Sequence, residues 1–256
     1  VDNRFDINFD TGAVEHRVLV GFDYRNYREQ SAFAFAGATN IDLFNPVYSA
    51  TPIAVPALTT TFTDQRLKQT GVYLQDQAKI GNFILTLSGR QDWVNLTNYV
   101  PATPVETKQD KFTWRVGATY VTDAGIAPYV SYATSFLPVV GATFTGDAFS
   151  PSSGEQIEAG VKYDARLLDD VKLFATAAVF RIEQTNVVTD DPDQINHPGG
   201  KVQAGEVVSK GLELEVVTRI REQLSINASY SYIDAKITKS NFALEDNARL
   251  SAQPRH

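Results

Sequence analysis

The chain has 256 residues, of which 43% are hydrophobic and 21% charged, with no Cys, no Met and a formal charge of −7. That length suffices for one large domain or two small ones, and the composition is not that of a disordered tail. The lack of Cys removes disulfide frameworks, thiolate metal sites and Cys nucleophiles, and the acidic balance argues against a nucleic-acid partner.

With no Met to initiate and no signal-peptide pattern at Val1, the chain reads as a processed or internal segment of a longer protein. No run of about 18 apolar residues occurs, which excludes a membrane-spanning helix and leaves a membrane-spanning β-barrel open. Alternation with a period of two predicts strands near residues 2–10, 14–27, 66–80, 83–97, 111–121, 126–136, 155–165, 170–183, 205–219 and 223–236. In the fourth, Phe83, Leu85, Leu87 and Trp93 oppose Thr86, Ser88, Arg90 and Asp92. In the fifth, Phe112, Trp114, Val116, Ala118 and Tyr120 oppose Thr113, Arg115, Gly117 and Thr119. The sixth sets Ile126, Pro128, Val130 and Tyr132 against Ala127, Tyr129, Ser131 and Ala133, and the tenth sets Leu224, Ile226, Ala228, Tyr230 and Tyr232 against serines and Asn227.

Aromatic residues cluster at the ends of the apolar parity, where a transmembrane barrel carries its girdles. Charges fall on the other parity, including Arg17, Asp23, Arg25, Glu158 and Lys162. Two residues break the rule: Asp76 shares the parity of Val72 and Leu74, and Lys210 that of Val208 and Leu212. A β-bulge at Asp76 and a strand end above the bilayer at Lys210 would reconcile them. Connections alternate between short turns and long loops, the latter near 28–65, 98–110, 137–154, 184–204 and 237–256, as periplasmic turns and extracellular loops do. A soluble β-sandwich binding module and a passive porin-like channel share parts of this pattern.

Gly71-Val72-Tyr73-Leu74-Gln75-Asp76-Gln77, Ser88-Gly89-Arg90-Gln91-Asp92-Trp93, Ile126 to Phe136, Pro151 to Tyr163, and Gly205 to Glu215 occur in an order and spacing that form a specific match. Together they resemble the TonB-dependent outer-membrane receptors, and within them the ferric-siderophore receptors of the ferrichrome type. Ile41 to Tyr48, inside the longest loop, is similar as well. The resemblance implies an all-β antiparallel transmembrane barrel of 22 strands, of which residues 1–256 supply about ten, with the N-terminal plug domain and its TonB box absent.

It further implies TonB-energised uptake of a ferric siderophore, hydroxamate-type by resemblance, in the bacterial outer membrane, with another TonB-linked substrate as the alternative. The partners are then the siderophore, the TonB-ExbB-ExbD system acting through the plug, and outer-membrane lipid with lipopolysaccharide. No cofactor is expected, iron entering only inside a bound chelate. No catalytic or metal-ligating residue is expected either, because His16, His197 and His256 lie far apart. The acidic run Asp190, Asp191 and Asp193 lacks EF-hand spacing and reads as a solvated loop. Aromatics on long loops suit a bulky chelate, and the expected contacts are Tyr27, Phe44, Tyr48, Tyr99, Phe136 and Phe144. Arg90, Asp92, Arg115, Glu213 and Glu215 are expected in the lumen, facing the plug or pairing along the wall.

Overall fold

The computed structural model describes residues 1–37, 40–48, 56–58, 60–100, 104–168, 171–221, 223–241 and 246–250. Ten strands follow one another in chain order: β1 (Asp2–Thr11), β2 (Val14–Phe33), β3 (Thr60–Ile80), β4 (Phe83–Asn98), β5 (Val105–Tyr120), β6 (Ile126–Leu137), β7 (Ser152–Leu168), β8 (Val171–Asp190), β9 (Lys201–Ile220) and β10 (Leu224–Lys239). They form a single antiparallel sheet in which each strand pairs with its sequence neighbours. No second sheet packs on either face among the described residues, which overturns the β-sandwich alternative. A sandwich has to bury one face of each sheet, whereas Phe5, Phe22, Leu74, Leu87, Trp93, Phe112 and Ile157 all stand exposed.

The register places residues of like character in rows. On the apolar face, Val20 opposes Leu74 and Phe22 opposes Val72, while Leu87 opposes Val116 and Val130 opposes Ala159. Along β4 this face runs from Phe83 to Trp93, about 25 Å of axial height for a tilted strand rising ~3.3 Å per residue, which matches the apolar band of an outer-membrane barrel. Phe83 meets Tyr120 at the short-turn end, with ring centroids 4.7 Å apart and the planes tilted by 53°.

Above that band the same outward rows become polar. They carry Asn26 opposite Lys68, Arg28 opposite Arg66, Arg66 opposite Thr97, and Arg181 opposite Lys210, itself opposite Asp234. Lys210 thus sits at the upper margin of the band, but the strand end expected there does not occur, because β9 continues past it to Lys201.

The strands outrun their sequence-based limits at the long-loop end. β2 reaches Phe33, β3 begins at Thr60, β5 at Val105 and β8 ends at Asp190, so the loops expected at 28–65, 98–110, 137–154 and 184–204 shrink to the residues between those strands. Backbone pairing continues there without alternation because water, unlike lipid, sets no apolar requirement on the outer face. The bulge expected at Asp76 does not occur, since pairing runs unbroken through Val18, Asp76 and Leu87. Asp76 is held by a hydrogen bond shared between its Oδ2 and His16 Nδ1 (2.8 Å), and His16 Nε2 meets Thr11 Oγ1 at 2.8 Å. At the short-turn end Gly125 takes φ +78°, where any Cβ would collide with the Asp164 carbonyl oxygen. Residues 242–245 and 251–256 of the last expected loop lie outside the described residues.

Candidate functional site

The polar face lines the lumen, and its side chains form two groups. In the first, Arg90 on β4 donates through Nη1 to Asp23 Oδ2 (2.6 Å) and through Nε and Nη2 to both oxygens of Asp92 (2.7 and 2.6 Å). Gln69 Nε2 donates a further bond to Asp92 Oδ1 at 2.8 Å, and Asp92 is 1% exposed. A buried carboxylate is tolerated only when charge and hydrogen bonds compensate it, and three donor contacts do so here. Arg90 and Asp92 therefore pair along the wall.

The second group surrounds Tyr129, whose hydroxyl donates to Glu158 Oε1 at 2.6 Å while Gln156 Nε2 donates to Oε2 at 2.9 Å. Lys162 Nζ lies 5.2 Å from the Tyr129 ring centre. Arg115 opposes Ala133, Glu213 opposes Ala178 and Glu215 opposes Thr176, all on the lumen rows. These three make no side-chain hydrogen bond or ion pair within the described residues, so their charges remain open toward the lumen.

At the long-loop end the chain builds a platform. Gln109 on β5 donates through Nε2 to the carbonyls of Val139 (2.9 Å) and Phe149 (2.8 Å) and accepts from Val139 N–H at 3.2 Å. It thereby fastens the segment between β6 and β7 against the lumen side of β4 and β5, where Val94, Leu96, Thr107, Gln109 and Phe149 are all buried. The same segment locks to β9 and to the β8–β9 connection: Gln203 Nε2 on β9 donates to Ser150 O at 2.6 Å, its Oε1 accepts from Ser150 N–H at 2.7 Å, and Phe144 stacks on His197 of the connection at 4.6 Å. His197 Nδ1 shares a 2.8 Å hydrogen bond with Asp191 Oδ2, and Asp191 Oδ1 accepts from the Asp193 N–H at 2.9 Å. That N–H first, and His197 second, hold the Asp191 carboxyl below the usual carboxylate range. The acidic run thus spends its carboxylates on its own loop: Asp190 pairs with Lys201 and Asp193 accepts from Asn196 at 2.8 Å.

The expected ligand contacts are dispersed. Tyr27 lies on a lumen row opposite Leu67 and is exposed, and Phe44 and Tyr48 stand free of the β2–β3 connection at 96% and 81% exposure. Tyr99 is covered by the Arg28 guanidinium at 4.8 Å, Phe136 lies on an outward row opposite Ser153, and Phe144 belongs to the platform. No two of the six are in ring contact among the described residues. Sequence reasoning missed Gln109 and Gln203, and its reading of the acidic run as a solvated loop fails at Asp191, which is buried against His197. One signal was present, because Val94 and Leu96 put apolar side chains on the polar parity, which calls for a cover.

A family model described as TonB dependent receptor-like, beta-barrel matches residues 1–256. The chain belongs to the TonB-dependent receptors. It is similar to the ferrioxamine B receptor of Salmonella typhimurium (36% identical over 243 residues, 94% of this chain and 33% of that protein). Likewise it is similar to the ferrichrome outer membrane transporter/phage receptor of Escherichia coli K12 (33% over 246 residues, 93% of this chain and 32% of that protein). The chain therefore spans about one third of the length of these relatives.

Among solved structures, the ferric-catecholate import receptor Fiu of Escherichia coli K12 superposes with a TM-score of 0.79 at 20% identity, covering 100% of this chain and 40% of Fiu. The ferric preacinetobactin receptor BauA of Acinetobacter baumannii gives 0.76 at 23%, covering 99% of this chain and 38% of BauA. As a wall segment of this outer-membrane family, the sheet turns its apolar rows to lipid and its polar rows to the lumen. A receptor-family wall also displaces the passive porin alternative.

Proposed function

We propose that the protein is an outer-membrane receptor that takes up a ferric siderophore of the hydroxamate type. This chain supplies part of the barrel wall and of the ligand-binding loops. The observation that carries the reading is the platform at the long-loop end, where two connections interlock beside a charged lumen. Long loops fixed on a rigid scaffold are where recognition sits. The likeness to receptors named for ferrioxamine B and ferrichrome, both ferric hydroxamates, supports the ligand class.

In this reading the long-loop end is extracellular. Tyr27, Phe44, Tyr48 and Phe144 offer ring faces that lose little entropy when a bulky chelate packs on them. A plug domain fills the lumen, where the open charges of Arg115, Glu213 and Glu215 meet it. The TonB-ExbB-ExbD system moves that plug, and no covalent chemistry is asked of the wall. Outer-leaflet lipopolysaccharide faces the outward charges above the apolar band, Arg181, Lys210 and Lys236 among them.

The test is binding by the full-length receptor of ferrioxamine B and ferrichrome against a ferric catecholate, read by intrinsic fluorescence. The expected outcome is saturable binding of a hydroxamate, weakened roughly tenfold by Phe144→Ala, as for an aromatic anchor. Binding of the catecholate alone would overturn the hydroxamate assignment.

A further inference from the structure

The wall divides above the apolar band. Pairing between β5 and β6 runs only from Thr119 opposite Tyr129 to Arg115 opposite Ala133, whereas β5 stays in register with β4 as far as Val105, and β6 with β7 as far as Leu137. At the fork, Thr134 Oγ1 takes the place of a strand: it accepts from the Trp114 N–H at 2.9 Å and donates to the Trp114 carbonyl at 3.4 Å. Beyond Leu137 the chain leaves the wall and turns into the lumen, where Gln109 clamps it by the carbonyls of Val139 and Phe149. The upper stretch of β5 is thereby left as an edge.

In an antiparallel strand the N–H and C=O of one residue point to the same side, and successive residues alternate. Trp114 faces β6, and so do Phe112, Asp110, Lys108 and Glu106, because the pairing of β4 with β5 contains no bulge. No strand pairs with these four residues on that side, and among the described residues no loop backbone bonds to Glu106, Lys108 or Asp110. The side chains of these three are exposed on the outer face and make no ion pair or side-chain hydrogen bond within the described residues. Across β4 they meet Thr97, Asn95 and Trp93, none of them charged. The edge from Glu106 to Phe112 is therefore an open row of backbone donors and acceptors about 20 Å long, with unpaired charges of alternating sign beside it.

Such an edge suits one class of ligand, an extended polypeptide, whose backbone bonds supply affinity and whose alternate side chains supply selectivity. Lipid does not cover it, because Asp110 is level with Trp93, where the apolar band ends. A second copy upright in the same membrane does not fit either. Its β5 rises in the same direction with the opposite lean, so two strands each tilted by ~35–45° cross instead of lying side by side.

We propose that the Glu106 to Phe112 edge of β5 binds an extended peptide segment of another protein, which adds as a strand at the end that the reading above places outside the cell. Residues of that segment opposite Glu106, Lys108 and Asp110 share their face, so the fitted segment is basic, acidic and basic at alternate positions. The pattern reads alike in either strand direction. Like charges at these places would stand directly opposite one another and weaken the pairing.

The experiment uses the full-length receptor in detergent micelles at low ionic strength, with the peptide Thr-Lys-Thr-Glu-Thr-Lys-Thr and its charge-swapped counterpart Thr-Glu-Thr-Lys-Thr-Glu-Thr as probes. Hydrogen exchange of the receptor alone should show fast amides at Glu106, Lys108 and Asp110 between protected ones at Thr107 and Gln109, which face β4. The first peptide should slow the three fast amides, and the swapped one should bind on the order of tenfold more weakly by fluorescence anisotropy. Lys108→Pro removes one donor of the edge, leaves the bonds to β4 intact and should abolish the protection at Glu106 and Asp110. Combining Glu106→Lys, Lys108→Glu and Asp110→Lys should reverse the preference between the two peptides, which a loss of folding cannot do. Slow exchange at the three amides before any peptide is added would show that the receptor covers its own edge and would overturn the proposal. Equal binding of the two peptides, or failure of the first to protect the edge, would overturn it as well.

Discussion

Two halves of the same strands obey opposite rules. In the short-turn half, apolar side chains point outward: Val20 and Phe22 on β2, Val72 and Leu74 on β3, Leu85 and Leu87 on β4. In the long-loop half, the outward positions are Asn26 and Arg28, Lys68 and Arg66, Asn95 and Thr97, while Leu67, Val94 and Leu96 point inward. The backbone pairing of β2 to β4 is the same throughout. What changes is the medium, lipid outside the lower half and water outside the upper, together with a loop folded over the inner face above. Alternation in such a wall reports its surroundings, and the sheet itself does not impose it.

The sharpest way to break this comparison is to place the same charge in both halves. Leu87→Arg, at mid-band on an outward row, should destabilise the full-length receptor in lipid vesicles by about 2–4 kcal/mol, and Thr97→Arg, five outward steps along the same strand, by less than about 1 kcal/mol. Urea unfolding of the two variants checks it. Equal penalties would erase the distinction.

A smaller effect tests the inner face of the upper half. Gln109→Ala removes the clamp on the β6–β7 segment and leaves two carbonyls without their donor, which costs about 1–3 kcal/mol locally. Proteolysis of residues 138–151 should accelerate while the exchange of β4 and β5 amides within the band stays at wild-type rates.

The smallest effect is a pH response confined to the β8–β9 connection. Asp191 is held below the usual carboxylate range chiefly by the Asp193 N–H, and Asp193 chiefly by the Asn196 side chain. A carboxyl lowered by folding contributes stability above the ordinary carboxylate range and loses it as pH falls through the depressed value. A spin label at Ile195, 93% exposed, should keep its mobility from neutral pH down to the ordinary carboxylate range and become mobile only in more acidic solution. Loosening on the alkaline side instead would contradict the sign.

How much was legible follows from the same division. The lower half was readable because lipid enforces one apolar residue in two, so Phe83 to Trp93 and Phe112 to Tyr120 declare their strand and face. The upper extensions were read as loops because Arg28, Asp64 and Gln65 carry no periodic signal, although they pair in register. Arg90 and Asp92 were placed on the correct face, but their mutual pairing depends on Asp23 and Gln69 from strands distant in sequence. The platform was hidden because Gln109 reads as one more polar lumen residue until the carbonyls it clamps, 30 and 40 residues away, are in place.

The central claim is a lipid-facing band with a definite upper edge, and spin labels walked along β4 test it most directly in the full-length receptor in vesicles. The account predicts oxygen accessibility with a period of two, high at Phe83, Leu85, Leu87, Gly89, Gln91 and Trp93, and its collapse from Asn95 onward. Lipid contact that continued to Thr97, or that peaked at Ser88, Arg90 and Asp92, would contradict it.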